Sequence, residues 1–179
     1  MTSLTGKLLR LRTLEPEDLE YLYRWENDPG LWGVSHTLAP FSRHILKQFI
    51  ENQTLDIYQT RQTRFIIESL ADGAIVGAVD LFEFDPYQER AGIGILVYDP
   101  ADRCKGYARE AVGKLCEYCF EVLGMRQVWC NIAADNAPSI ALFEECGFIR
   151  CGVKRGWLRT REGQLDEYMY QRLNPDKKF

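Results

Sequence analysis

Residues 91–97, AGIGILV, contain only apolar side chains and glycine. A strand with one wet face alternates apolar and polar residues. A run without alternation belongs in the middle of a sheet covered on both sides. Gly92 and Gly94 fall on one face of this run, where missing side chains let another group approach the backbone. The run ends at Asp99-Pro100, and a basic, small-residue turn, Arg103-Cys104-Lys105-Gly106, leads into a helical pattern. Apolar residues recur there at Ala108, Ala111, Val112, Leu115, Cys119, Val122 and Leu123, in the steps that mark one buried helix face. Gly124 is placed to cap the end. A central strand feeding a helix through a short turn points to a layered α/β architecture.

The flanking segments extend this plan. KLLRLR, residues 7–12, alternates enough for an opening strand. A helix is predicted over 15–28, with Pro16 in its first turn, and Asp28-Pro29-Gly30 ends it. Residues 31–42 lack a period and read as an ordered loop. A second helix is predicted over 43–59, with Ile45, Leu46, Phe49 and Ile50 on one side. RFIIESL and AIVGAVDLFEF flank Asp72-Gly73, a strong hairpin signal. Asp85-Pro86-Tyr87-Gln88 is turn chemistry ahead of the central strand. QVWCNI reads as a short buried strand. NAPSIALFEECGF reads as a helix entered through Asn136 and Pro138 and closed by Gly147. The last residues form a hairpin around Arg161-Glu162-Gly163. The order is β-α-α-β-β-β-α-β-α-β-β, an α/β (mixed α+β) domain with a mixed sheet.

The 179 residues suit a single domain, 1–179. A net charge of −4 disfavours bulk nucleic-acid binding, though a local basic site is compatible with it. The first twelve residues hold no apolar run of signal-peptide length, and no window reaches ~18 apolar residues. These features lead to an expectation of a cytoplasmic protein without a membrane segment. Cys116 and Cys119 form a C-x-x-C, but no second pair at metal spacing accompanies them, and the only histidines are His36 and His44. The two cysteines read as small core residues, and no metal is expected.

The turn at 97–108 carries the chemistry. A strand–turn–helix passage leaves backbone N–H groups aimed outward at the positive end of a helix, where a phosphate can sit. Every helix start offers such amides, so spacing alone leaves a plain capped helix equally open. Neither the G-x-G-x-x-G nor the G-x-x-x-x-G-K-[ST] string occurs.

Arg103-x-x-Gly106-x-Ala108 resembles the acetyl-CoA pyrophosphate loop of the GNAT superfamily of N-acetyltransferases, written [Arg/Gln]-x-x-Gly-x-[Gly/Ala]. Asn136-x-x-Ser139-x-x-Leu142-Phe143-Glu144-x-Cys146-Gly147-Phe148 is similar to that superfamily's second block. The opening LRLRTLEPEDLEYLYRWENDP resembles its ribosomal-protein and diamine acetyltransferase branches, and residues 64–95 resemble the spermidine/diamine branch.

The resemblance implies a mostly antiparallel mixed sheet of about seven strands with about four helices, splayed between the fourth and fifth strands. It implies acetyl-CoA as co-substrate, its pyrophosphate on the amides of Arg103, Cys104, Lys105, Gly106, Tyr107 and Ala108. Ile95, Leu96 and Val97 would lie along the pantetheine arm, with Asn136 and Ser139 reaching it from the other side. The acceptor would be an amine: a protein N-terminus, a diamine or a polyamine. A homo-oligomer is left open.

Direct transfer needs a base for the incoming ammonium and an acid for the leaving thiolate. The nearest carboxylates to the central strand are Asp80 and Glu83, which cannot share a face of a regular strand. Where the superfamily commonly has a proton-donating Tyr, this chain has Phe143. Tyr168 and Tyr170 are the substitutes, or the thiolate leaves unassisted; an acyl-CoA-binding module with little or no catalysis is the alternative. Segment 33–41 has no acid where the diamine branch carries an acidic pair. His36, His44, Trp25, Trp32 and the basic KRGWLRTR have ordinary surface or packing readings.

Overall fold

The structure is a computed structural model that describes residues 4–177 except 36 and 54. Seven strands form one sheet in the order β1-β2-β3-β4-β5-β7-β6. They are β1 (Leu9–Thr13), β2 (Thr63–Ser69), β3 (Ile75–Asp85), β4 (Arg90–Val97), β5 (Gln127–Ala133), β6 (Ile149–Thr160) and β7 (Gly163–Leu173). All neighbours are antiparallel except β4 and β5. The glycine-bearing run is the fourth of seven strands, as its lack of alternation predicts.

The helices are α1 (Leu19–Glu26), α2 (Pro29–Ser35), α3 (Arg43–Asn52), α4 (Ile57–Thr60), α5 (Tyr107–Glu117) and α6 (Ala137–Glu145). The described residues thus form six α-helices rather than about four, because two sequence signals do more than expected. Asp28-Pro29 follows the end of α1, as expected, but also starts a helix, so the loop expected over 31–42 is helical to Ser35. The Asp28 carboxylate accepts from the Gly30 N–H at 2.8 Å, and proline at the first helical position forgoes a bond it would not have made. The helix expected over 43–59 stops at Asn52, and Asp56 caps a separate single turn through the Tyr58 N–H. On α3, Leu46 and Ile50 are buried but Ile45 is half exposed.

Side chains alternate across the sheet and feed two cores. Leu11, Phe65, Ile67, Val79 and Ile93 pack with Ala111, Val112 and Leu115 of α5 and Phe143 of α6. Ile66 and Ala78 face the other way, onto Leu22 and Trp25 of α1 and Leu46 and Ile50 of α3. After Glu117, α5 widens into a π-helical turn, Tyr118–Val122, in which the Leu123 N–H reaches the Tyr118 carbonyl. The change of period rotates the face, so Val122 ends exposed while Cys116 and Cys119 are buried. Burial pushes the Cys116 thiol up to about 12 and the Cys119 thiol well above its ordinary value. Among the described residues no group of three or more His, Cys, Asp or Glu is placed to hold a metal ion, and no helix is long and apolar enough to cross a membrane.

Asp18 ties β1 to the start of α1. Its side chain is almost fully buried and accepts from Arg12 Nη1 and Nη2 at 2.7 and 2.8 Å and from the Glu15 N–H at 2.9 Å. Burial works against its charge, but the Arg12 and Glu15 hydrogen bonds and the Arg12 charge outweigh it and hold its carboxyl below the usual range. A depressed carboxyl adds stability above the ordinary aspartate value of ~3.9, and that stability is lost as pH falls through the folded value. Asp18→Asn is therefore expected to lower stability at pH 6, with the difference from wild type shrinking below about pH 4. Urea unfolding from pH 3 to 6 checks this, and a difference independent of pH would contradict it.

Candidate active site

Strands β4 and β5 begin as a parallel pair, with Arg90 opposite Gln127, Ala91 opposite Val128 and Gly92 opposite Trp129, and the ladder stops there. Both strands continue. β4 stays paired with β3 to Val97, and β5 stays paired with β7 to Ala133. They part into a fork whose β4 edge, residues 93–97, turns alternate backbone N–H and C=O groups toward the gap. The rings of Phe82 and Trp129 meet edge to face at 5.4 Å over the last rung. A Cβ on Gly92 would lie 2.3 Å from the Phe82 ring, so the space left by this glycine is taken by Phe82.

β4, α5 and β5 form a βαβ unit, and α6 follows β5. The N-termini of both helices therefore stand at the carboxyl ends of the diverging strands, the position where open α/β sheets bind ligands. The two ends differ. Asn136 caps α6, its Oδ1 accepting from the Ser139 N–H at 3.2 Å. α5 is entered through Gly106 at its N-cap, in the left-handed region at φ +91°, and no side chain caps it. Cys104 is also left-handed, at φ +60°. Left-handed residues in such a turn line up successive N–H groups as a concave anion seat, with the helix dipole behind it.

The structure brings most of the expected cofactor residues to this end. Arg103, Cys104, Lys105 and Gly106 are exposed, with Tyr107 and Ala108 half buried. Lys105 Nζ contacts Asp102 at 2.9 Å, which raises the lysine above its ordinary value. The Tyr107 hydroxyl donates to Ser69 Oγ at 3.2 Å. Ile95 and Val97 pack on the α5 side and Leu96 on the α1 side, so these three share a strand edge rather than a face.

The carboxylates are arranged differently from a pair of free bases. Asp80 lies across from Gly94, but both its oxygens accept from Arg64, at 2.6 and 2.9 Å. Arg64 also donates to Glu26 on α1 at 2.6 Å. Burial works against the Arg64 charge, but the two carboxylates outweigh it and hold the guanidinium above its usual value. Glu83 is exposed at a bulge between Phe82 and Asp85, with φ +47°. The bulge breaks the regular alternation on which the sequence argument about these two acids relied. Sequence reading did not identify Arg64. The signal was available, because Arg64 and Asp80 stand equally far from Asp72 on the two arms of the hairpin.

Phe143 is buried against Phe148, ring centroids 5.0 Å apart. The buried Tyr170 hydroxyl donates to Glu144 Oε1 at 3.0 Å; burial first, and Glu144 second, push the tyrosine up. The Tyr168 ring lies beneath the Arg150 guanidinium, 4.7 Å away. His44 is exposed on α3, and His36 lies outside the described residues. Trp25 is core, and Trp32 donates its indole N–H to the Glu26 carbonyl. In the basic C-terminal hairpin, Lys154 and Arg155 are paired with Glu167 and Asp166.

The chain resembles several known proteins. It is 26% identical over 147 residues to the spermidine N(1)-acetyltransferase of Vibrio cholerae serotype O1, covering 80% of each chain. The structure of spermidine N-acetyltransferase from Vibrio cholerae in complex with CoA and spermine superimposes with a TM-score of 0.84 at 23% identity, covering 94% of this chain and 97% of that one. A dodecameric structure of spermidine N-acetyltransferase from the same organism, in an intermediate state, gives 0.77 at 24% identity, covering 94% and 95%. At that identity these structures speak for the fold. The family model described as Acetyltransferase (GNAT) domain matches residues 9–149. That match runs from the first strand to the first residue of β6 and takes in both arms of the fork, so the chain belongs to the GNAT acetyltransferase family.

Proposed function

We propose that this domain transfers the acetyl group of acetyl-CoA directly to a primary amine held at the β4–β5 fork. One observation carries the reading. The β4–β5 ladder stops while both strands continue, beside a helix start that no side chain caps. The unpaired edge at Ile95, Leu96 and Val97 suits a pantetheine arm, which pairs as an added strand does. The amides from Cys104 to Ala108 suit its pyrophosphate; the Arg103 N–H is already donated to the Pro100 carbonyl at 3.2 Å, so Arg103 offers its side chain rather than its amide. Asn136 is committed to capping α6, so its part is to fix the turn that carries Ser139 on the other side of the gap.

The attacking nitrogen must be neutral, and the N–C bond forms as the C–S bond breaks. A backbone N–H at the fork suits the developing oxyanion. We assign the proton-accepting role to Asp80, beside Gly94, over Glu83, which the bulge leaves exposed. Because Arg64 holds both Asp80 oxygens, the proton is accepted as that pair loosens. Phe143 has no proton to give the thiolate, which leaves through water or with help from Tyr168 or Tyr170.

The Vibrio relatives support a polyamine acceptor. A protein N-terminus is the second reading, favoured by the lack of any acid in residues 33–41. A homo-oligomer is supported by the dodecameric relative and by edge strand β6, where Ile149 and Trp157 are 73% and 63% exposed. The test is thiol release from acetyl-CoA with spermidine, spermine and a peptide carrying a free N-terminus, alongside CoA-induced thermal stabilisation. The expected result is stabilisation plus turnover on at least one amine. Asp80→Asn is expected to lower kcat about 100-fold, with Glu83→Gln within about threefold. Stabilisation without turnover on any amine would identify a binding module instead, and no stabilisation at millimolar CoA would reject the site.

A further inference from the structure

We propose that Glu110 is a positioning residue for the CoA loop, clamping the first turn of α5 to the segment that leads into β1. This inference rests on the loop assignment above. Three consecutive backbone amides converge on one carboxylate. The Lys7 N–H donates to Oε1 at 2.5 Å, and the Leu8 and Leu9 N–H groups donate to Oε2 at 2.8 and 3.2 Å. The chain closes around that carboxylate, with the Gly6 N–H on the Leu9 carbonyl and the Leu11 N–H on the Leu4 carbonyl, both at 2.8 Å. A Cβ on Gly6 would stand 2.5 Å from the Glu110 carboxyl carbon, so residue 6 has room for no side chain while the clamp is closed.

The clamp reaches the loop by two routes. The Glu110 N–H donates to the Gly106 carbonyl at 3.0 Å, the first hydrogen bond of the helix. Leu8, whose amide is bound by Glu110, places its Cδ1 3.1 Å from where a Cβ on Gly106 would stand. One turn away, the Tyr107 hydroxyl ties the same end of α5 to the buried Ser69 at the end of β2. The loop that would receive a diphosphate is thus braced against β1 and β2, strands on the far side of β3 from the fork. An acid in this first turn would otherwise repel the phosphates. Its charge is instead occupied by three donors from another segment, which leaves the loop amides for the ligand. Bracing a loop before the ligand arrives lowers the ordering cost of binding and contributes to affinity rather than to the chemical step.

The experiment compares Glu110→Ala, Glu110→Gln, Gly6→Val and the double variant Gly6→Val/Glu110→Ala, with Gly106→Val as reference. CoA affinity is measured by calorimetry, and kcat and the acetyl-CoA KM are measured on the best amine. The expected loss of CoA affinity is about tenfold for Glu110→Ala and for Gly6→Val, and about threefold for Glu110→Gln, which keeps one acceptor oxygen, with kcat changing less than about twofold. The double variant is expected to be no weaker than the weaker single variant, since both open the same clamp. Lower thermal stability with CoA affinity unchanged in Glu110→Gln and Gly6→Val would overturn the clamp, because a purely structural acid would behave that way. If Gly106→Val loses affinity and the other variants do not, the clamp fails and the loop assignment stands. If Gly106→Val also keeps its affinity, the loop assignment itself has failed.

Discussion

Gly106→Val is expected to weaken CoA binding at least 100-fold, about 2.7 kcal/mol. Two costs act together. Gly106 sits at φ +91°, where a β-branched residue is strained by one to a few kcal/mol. Its Cβ would also press on Leu8 Cδ1 at 3.1 Å, and relief of either strain moves the amides that form the loop. Gly124→Ala separates strain from binding. Gly124 is also left-handed, at φ +65°, but nothing lies within 4 Å of a Cβ there, and it ends the helical segment rather than starting it. That control should lose about 1 kcal/mol of stability and keep its CoA affinity. Calorimetric titration of CoA into both variants decides the matter. Equal affinities in the two would mean that the ligand does not approach Gly106.

Arg64→Met is expected to cost about 3 kcal/mol of folding stability, the usual penalty for removing one partner from a buried ion pair. Arg64 is 18% exposed and bridges Asp80 on β3 to Glu26 on α1. Without it, two half-buried carboxylates face each other with no cation between them. Replacing all three members, Arg64→Met with Asp80→Leu and Glu26→Leu, should recover most of the loss, because apolar groups of similar volume leave no charge to desolvate. Urea unfolding of the single and triple variants reads both outcomes. A single-variant loss below about 1 kcal/mol would mean that solvent already screens the cluster.

The linear pattern was informative wherever one residue's own chemistry decides its conformation. Asp72-Gly73 turned the β2–β3 hairpin, Gly147 ended the second-block helix, and the unbroken apolar run at 91–97 lay in the centre of the sheet. Misreadings arose where one signal supports two outcomes. Asp28-Pro29 ends α1 as its residues predict and also starts α2, which the aperiodic segment after it did not announce; the Gly30 N–H on the Asp28 carboxylate marks that second role. The π-helical turn at Tyr118–Val122 has the composition of an ordinary helix and shows itself only through its hydrogen bonds.

Sequence alone determined the seven strands in their chain order, the central strand and the turn that opens α5, because turn residues and apolar periodicity act over a few neighbours. Tertiary structure alone decided where the β4–β5 ladder stops, the Phe82 ring in the space at Gly92, the reach of Arg64 to Glu26 and the amides gathered on Glu110. Each of these joins residues far apart in the chain, and the geometry that brings them together exists only once the sheet has formed.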